Sequence, residues 1–291
     1  MKKTIISCVL FLTAVTAFSQ TPMKTAAEAK LSASDLAVKI ADRILATTTY
    51  EFKNTKTGKT YKSVKNLPLD MNVKVACKYN NWHYTNGVTH IALMELADKT
   101  GAKKYDDYVL KNMNFVFNEG NLDFFKKQYD QAMKNEGWYG VRKLSWHMIF
   151  RGKRLDDNGP MGASLIDLQM KHPNNSFLNY INETAEHLNY GEPRLADGTI
   201  ARIWPHENTI WADDAFMAIS FLARMAKMTG DMSYINDAAN QVIKYHKYLW
   251  CPEKRILYHC YHTDTDEHGV AHWSRANGWV FMATADLLAV M

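Results

Sequence analysis

Residues 211–237 read WADDAFMAISFLARMAKMTGDMSYIND, and their pattern decides the fold. Trp211, Asp213 and Asp214 open the stretch. The run that follows is small and apolar on almost every side, which suits a helix buried inside a protein. Gly230 comes next, where a left-handed residue closes a helix. Tyr234 then restarts an apolar stripe on a segment whose other face is polar. Buried helix, glycine turn and surface helix together predict a helical hairpin.

The hairpin recurs. Residues 96–108, LADKTGAKKYDDY, match residues 225–237: both hold Thr-Gly, three residues and Tyr. Residues 170–188, MKHPNNSFLNYINETAEHL, are a looser copy. The upstream members also start alike, at Trp82 (WHYTNGVTHIALMELA), Leu155 (LDDNGPMGASLIDLQM), Trp211 and Trp273 (WSRANGWVFMATADLL). Their spacing is about 55–75 residues, at or just above the usual repeat range. Alternating inner and outer helices predict an all-α toroid of hairpins, with the inner-helix heads on one rim. Further helices are expected at 34–47 and 122–134, and short β pieces near 50–61 and 255–261.

The opening MKKTIISCVLFLTAVTAFSQ has a basic start, an apolar core and a small-residue exit. Residues 1–20 are therefore expected to be a signal peptide, leaving one domain over 21–291 in an exported protein, periplasmic or extracellular. No later stretch approaches the ~20 apolar residues of a membrane span. The formal net charge of +5 falls to +3 without Lys2 and Lys3. With no basic run, that is no nucleic-acid signature. Cys77, Cys251 and Cys260 are an odd number, so buried thiols are expected rather than a disulfide framework.

The heads gather Trp82, Asn86, Asp156, Asp157, Trp211, Asp213, Asp214, Trp273, Arg275, Asn277 and Trp279. Any one Asp could simply cap its helix, yet one cap needs one side chain and two heads carry pairs. A helix N-terminus lowers a carboxyl pKa, whereas a general acid needs it raised. Burial and a neighbouring carboxylate do that. Tryptophan faces suit sugar rings, and Arg275 offers a planar fork for a carboxylate. His259, Cys260, His262 and the following DTDEHG match no standard zinc or calcium pattern, so no metal is expected.

WADDAFM, HWSRANGW, LDDNGPMG and LYHCY resemble the unsaturated glycuronyl hydrolases. More specifically, the chain from about residue 34 to the end is similar to glycoside hydrolase family 105, the unsaturated rhamnogalacturonyl hydrolases, related to family 88. The resemblance implies an (α/α)6 barrel, no metal and no organic cofactor. Its implied substrate is an oligosaccharide with a 4,5-unsaturated uronic acid at the non-reducing end. The implied reaction is hydration of the vinyl ether, in which an Asp protonates C4 and water adds at C5. It assigns Asp213 as general acid/base and Asp157, with Asp156 as the other candidate, as the second catalytic carboxylate. Trp211, Met217, His259, Trp273, Arg275 and Trp279 fall at substrate-contacting positions, with Arg202 a further cation. Asp214 stands where the family often has Gly, which leaves the acid assignment between Asp213 and Asp214; Asp156 and Asp214 are otherwise expected to contact substrate. About nine helices are expected against twelve in a full barrel, so the barrel reads as truncated at its C-terminus. Two other readings remain: an inverting (α/α)6 glycosidase on saturated sugars, with Asp157 and Asp213 as its acid/base pair, and a non-catalytic helical carbohydrate-binding protein.

Overall fold

The structure, a computed structural model, describes residues 32–152 and 154–291. The expected signal peptide lies outside them. The chain falls into two compact units, residues 1–39 and 40–291. The described part of the first is the opening of α1 (Ala33–Thr47). There the Asp35 N–H donates to Ser32 Oγ at 3.0 Å and the Ser32 N–H donates back to Asp35 at 3.3 Å, a reciprocal cap.

The second unit is a series of helical hairpins. α2 (Tyr84–Thr100) turns at Gly101 into α3 (Lys104–Val116). α4 (Glu119–Val141) and the short α5 (His147–Arg151) follow. α6 (Leu155–Lys171) pairs with α7 (Asn175–Glu186), which continues into one π-helical turn, His187–Gly191. α8 (Ala212–Thr229) turns at Gly230 into α9 (Met232–Leu249), and α10 (Ser274–Leu288) closes the series. Gly101 and Gly230 sit at φ 69° and 75°, the left-handed cap expected of them. The looser repeat turns without glycine: Asn174 caps α7 by accepting the Ser176 N–H at 2.8 Å.

Burial follows the inner and outer assignment. Every residue from 214 to 226 of α8 is buried. On α9 the buried set is Ile235, Ala238, Gln241, Tyr245 and Leu249, one stripe at helical spacing. The inner helices pack in the order α2, α6, α8, α10. Two glycines let their heads approach. A Cβ on Gly87 would lie 2.4 Å from the Pro160 carbonyl carbon, and one on Gly159 would lie 2.0 Å from the Met217 carbonyl oxygen. Pro160 lies inside α6 and lacks the N–H that would bond to the Asp156 carbonyl.

Three small antiparallel sheets decorate the helices. β1 (Phe52–Asn54), β2 (Thr60–Tyr61) and β3 (Val73–Val75) run in the order β2-β1-β3. β5 (Trp250–Cys251) pairs with β6 (Ile256–Leu257). β4 (Thr209–Trp211), β7 (Cys260–His262) and β8 (Glu267–His268) run in that order. Both β regions expected from sequence are occupied. The helix expected at 122–134 is the first part of α4, which breaks at Gly137, φ 58°. The cysteines depart from expectation: all three are free, but Cys251 alone is buried, while Cys77 and Cys260 are partly exposed. No helix among the described residues is long and apolar enough to cross a membrane.

Two consequences can be measured. Gly159→Ala forces a methyl into the α6–α8 contact, and overpacking of a rigid backbone costs about 1–3 kcal/mol. Its melting temperature falls, while Ala at the solvent-exposed Gly278 inside α10, where a Cβ meets nothing within 4 Å, raises it slightly, Ala being the better helix former. His90 is wholly buried, with Nδ1 unpartnered, and burial pushes its pKa down from 6.5 to about 4. Between those values the unfolded chain binds a proton that the folded one refuses. Stability therefore falls as pH drops from 6.5 to 4, by up to ~1.4 kcal/mol per pH unit. Denaturant midpoints at pH 7 and 5 read this out, and His90→Gln narrows the gap.

Candidate active site

The β4–β7 ladder assembles the site. Trp211 pairs with Cys260, and the Ala212 N–H donates to the His259 carbonyl at 2.9 Å. This brings His259 to the mouth of α8, where its Nε2 lies 2.9 Å from Asp213 Oδ2, a hydrogen bond that either group can donate. Both side chains are mostly shielded, at 17% and 14% exposed. The His259 ring meets Trp211 edge-on at 4.9 Å and Trp273 at 90° and 5.0 Å. A second bridge, Arg202 with Thr209, carries Arg202 over the same helix mouth. Its guanidinium donates to both Asp214 oxygens at 2.7 and 2.6 Å, lies 3.5 Å from Asp156 and stacks 4.4 Å over Trp211.

The paired aspartates are not caps. Neither Trp211 nor Arg154, the N-cap residues of α8 and α6, has a side-chain cap bond, and each acid has another partner. Asp213 meets His259, Asp214 meets Arg202, and Asp157 forms a two-pronged ion pair with Arg151. Asp156 lies beside Arg202 and is 35% exposed, whereas Asp157 is fully buried. Burial pushes Asp214 up against the pull of Arg202. It pushes Asp157 up against Arg151. Burial raises Asp156 too; Arg202 opposes the rise, and the negative charges of Asp157 and Asp213 add to it. Burial alone would lower Arg202, but Asp214, Asp156 and Asp213 outweigh it and hold the guanidinium charged. The field of Asp213 thus reaches Asp156, Asp214 and Arg202.

Arg275 stacks 3.6 Å over Trp273 and makes no ion pair among the described residues. Trp279 lies tilted on Phe216 at 4.9 Å and edge-on to Tyr84 at 6.3 Å. Other head residues are structural. Trp82 is buried and its indole donates to the Asp157 carbonyl at 2.8 Å. Asn86 donates to the carbonyls of Lys78 and Asn81, and Asn277 ties α10 to β6 through Leu257. Met217 is 1% exposed within the core, a packing position. Among the described residues no group of three or more His, Cys, Asp or Glu is placed to hold a metal ion.

Sequence reasoning missed a cleft of about 630 Å³ that opens beside Asp156. Arg142, Arg151 and Arg154 line it with Trp138, Trp204 and Tyr84. Most come from the α4–α5 region and the start of α6. The usable signal was residues 138–154, WYGVRKLSWHMIFRGKR, where aromatic and basic residues alternate without forming a basic run.

The chain and its fold match known proteins. The sequence profile of Glycosyl Hydrolase Family 88 matches residues 56–291. The unsaturated rhamnogalacturonyl hydrolase YesR of Bacillus subtilis is 25% identical over 178 residues, covering 55% of this chain and 49% of its own. A glycoside hydrolase from family 105 of C. acetobutylicum superposes with a TM-score of 0.59 at 22% identity, over 90% of this chain and 60% of its own. A possible family 105 member from Klebsiella pneumoniae gives 0.58 at 15%, over 94% and 65%. At such identities these two structures share the fold alone. The chain spans about half the length of YesR and under two thirds of either structure. With the profile covering most of its length, the chain belongs to Glycosyl Hydrolase Family 88.

Proposed function

We propose that this chain is the catalytic part of an (α/α)6-barrel hydrolase that removes a 4,5-unsaturated uronic acid from the non-reducing end of lyase-generated oligosaccharides, pectic ones included. One observation carries the reading. Asp213 is shielded and bonded to His259, the His259 ring is held edge-on between Trp211 and Trp273, and Arg275, with no ion pair among the described residues, stacks on Trp273. The tryptophans offer apolar faces to a sugar ring, and Arg275 offers two donors to the uronate carboxylate. The leader reading supports an exported setting, periplasmic or extracellular, where lyase products arise.

In this reading the Asp213 hydroxyl gives its proton to C4 while the C4–C5 π pair forms the new C–H bond. Positive charge then develops at C5 and on the ring oxygen. Water adds to C5, and the Asp213 carboxylate takes the proton that water loses. The resulting C5 hemiketal opens and collapses, releasing the next sugar. His259 holds the Asp213 carboxyl in one orientation throughout. Asp156 is taken as the second carboxylate, because it feels the charge of Asp213 and, unlike Asp157 and Asp214, is not held in a two-pronged ion pair. Asp157, committed to Arg151, positions the head of α6.

Arg202 and Arg275 have different roles here. Arg202 is already neutralised by Asp214, while Arg275 has no carboxylate partner among the described residues.

General acid–base groups contribute about 10²–10⁴-fold, so Asp213→Asn loses turnover on that scale with little change in binding. Loss of the vinyl-ether absorbance of an unsaturated disaccharide measures it. Activity confined to saturated oligosaccharides would overturn the proposal in favour of an ordinary inverting glycosidase. Unchanged function in Asp213→Asn would favour a binding protein. Arg275→Met raises KM without unfolding the chain. Arg202→Met instead strands buried Asp214, which costs about 3–5 kcal/mol. That loss shrinks at acidic pH, where Asp214 protonates, and in the double variant with Asp214→Leu, as chemical denaturation will show.

A further inference from the structure

His259, the partner of Asp213, and Trp273, one of the rings beside it, both lie outside regular structure. His259 falls in the gap between β6 and β7, and Trp273 in the irregular stretch 269–273 between β8 and α10. Single main-chain bonds hold the gap. The Tyr258 N–H donates to the Leu249 carbonyl at 2.8 Å and the His259 N–H to the Ala271 carbonyl at 2.9 Å. Neither bond by itself sets the direction of the His259 side chain.

Two imidazoles stack on the Tyr258 ring: His268 at 4.2 Å and 25°, His272 at 4.4 Å and 35°. Each imidazole has its own anchor. His268 Nε2 donates to the Tyr248 carbonyl, near the end of α9, at 2.8 Å. His272 Nδ1 donates to the Leu257 carbonyl in β6 at 3.2 Å. His268 also touches Tyr261 of β7 at 5.0 Å, and Tyr261 lies 5.5 Å from Tyr248, whose hydroxyl donates to Asp197 at 2.8 Å. The rings thus link the C-terminal turn of α9 to the edge of the site. Tyr258 immediately precedes His259, and His272 immediately precedes Trp273. Their contact joins, one residue back, the same two segments that meet through His259 and Trp273. Neighbouring residues share one planar peptide unit, so a ring fixed at 258 limits the directions open to 259.

We propose that Tyr258, stacked by His268 and His272, is a positioning residue that holds His259 against Asp213 and keeps Trp273 beside it. This inference rests on the proposed activity. Tyr258 touches no reacting atom and acts through His259. Such an arrangement is sensitive, because a misplacement of about 1 Å at a catalytic group can cost ~10²-fold in rate. The ring carries the role and the hydroxyl does not. The hydroxyl instead meets the Cys251 thiol, a contact that raises its pKa. Tyr258→Phe removes that contact and leaves both stacks.

Turnover of an unsaturated disaccharide by the full chain tests it. Tyr258→Leu should lower kcat/KM by about 10–100-fold, while Tyr258→Phe stays near the unaltered chain. His268→Gln keeps a donor for the Tyr248 carbonyl but loses one stacked ring at an exposed position. Its loss should be smaller and in the same direction, and it stands in should Tyr258→Leu fail to fold. In a His259→Ala background either change should cost nothing further, since a residue that acts through another is not additive with it. An equal loss in both backgrounds, or full activity without the ring, overturns the proposal. If the unaltered chain turns over no unsaturated sugar, the proposed activity fails instead, and His259 itself decides the positioning role. Its modification by diethyl pyrocarbonate, followed by peptide mass spectrometry, should quicken about tenfold in Tyr258→Leu, as the loss of ring contacts of this strength allows. His268→Gln should quicken it less, and Tyr258→Phe should leave it unchanged. A rate that none of the three variants moves overturns the positioning role.

Discussion

The close approach of α6 and α8 governs everything at the site. Gly159 lets the backbone of one inner helix touch the Met217 carbonyl of the other, and Gly87 does the same for α2 against Pro160. Any side chain there would push the heads apart. Held together, they set Asp156 and Asp157 beside Asp213 and Asp214, four carboxyl groups at two helix mouths. A helix N-terminus is worth about 0.3–1 kcal/mol to a carboxylate, less than one unit of pKa. Desolvation outweighs it, and Asp156, Asp157 and Asp214 are all pushed up. The cluster is tolerable because arginines from outside the inner helices answer it: Arg202 from the loop before β4, and Arg151 from α5.

That division explains what was legible in the sequence. The hairpins were, because their signals are local. An all-apolar segment, a glycine forced left-handed at 101 and 230, and a stripe beginning at Tyr105 or Tyr234 each lie within one turn of chain. The heads were legible as a set for the same reason. Their pairings were not. His259 reaches Asp213 across 46 residues of sequence, through a ladder of three residue pairs whose strands are too short to announce themselves. Arg202 reaches Asp214 through a single bridge.

Adjacent aspartates show the limit most sharply. Neighbours on a helix point about 100° apart, so Asp156 and Asp157 enter different surroundings. One lies in the field of Asp213 and Arg202, and the other is enclosed with Arg151. Sequence marks both as the second carboxylate and cannot choose, because the choice depends on Arg151. That residue sits on a short helix between two left-handed residues, Trp146 and Gly152, with no periodic signal to place it. Capping failed as a reading for a related reason. A cap accepts its own helix's N–H groups, and here each acid has a guanidinium or an imidazole within reach.

The cations therefore sort by whether a carboxylate already faces them. Arg202 and Arg151 are answered within the protein and act as structure. Arg275, Arg142 and Arg154 are not. With Asp214 and Asp157 answered by Arg202 and Arg151, the charge left in the cluster acts on an anionic sugar only within roughly a Debye length, about 8–10 Å at ordinary salt. An anionic substrate can then settle only where unmatched cations outnumber the acids nearby. Arg275 supplies that on the Trp273 side. Asp213 itself is mostly shielded, at 14% exposed, and is held by His259. The charge pattern around the acids thus constrains the ligand as firmly as the acids constrain the chemistry.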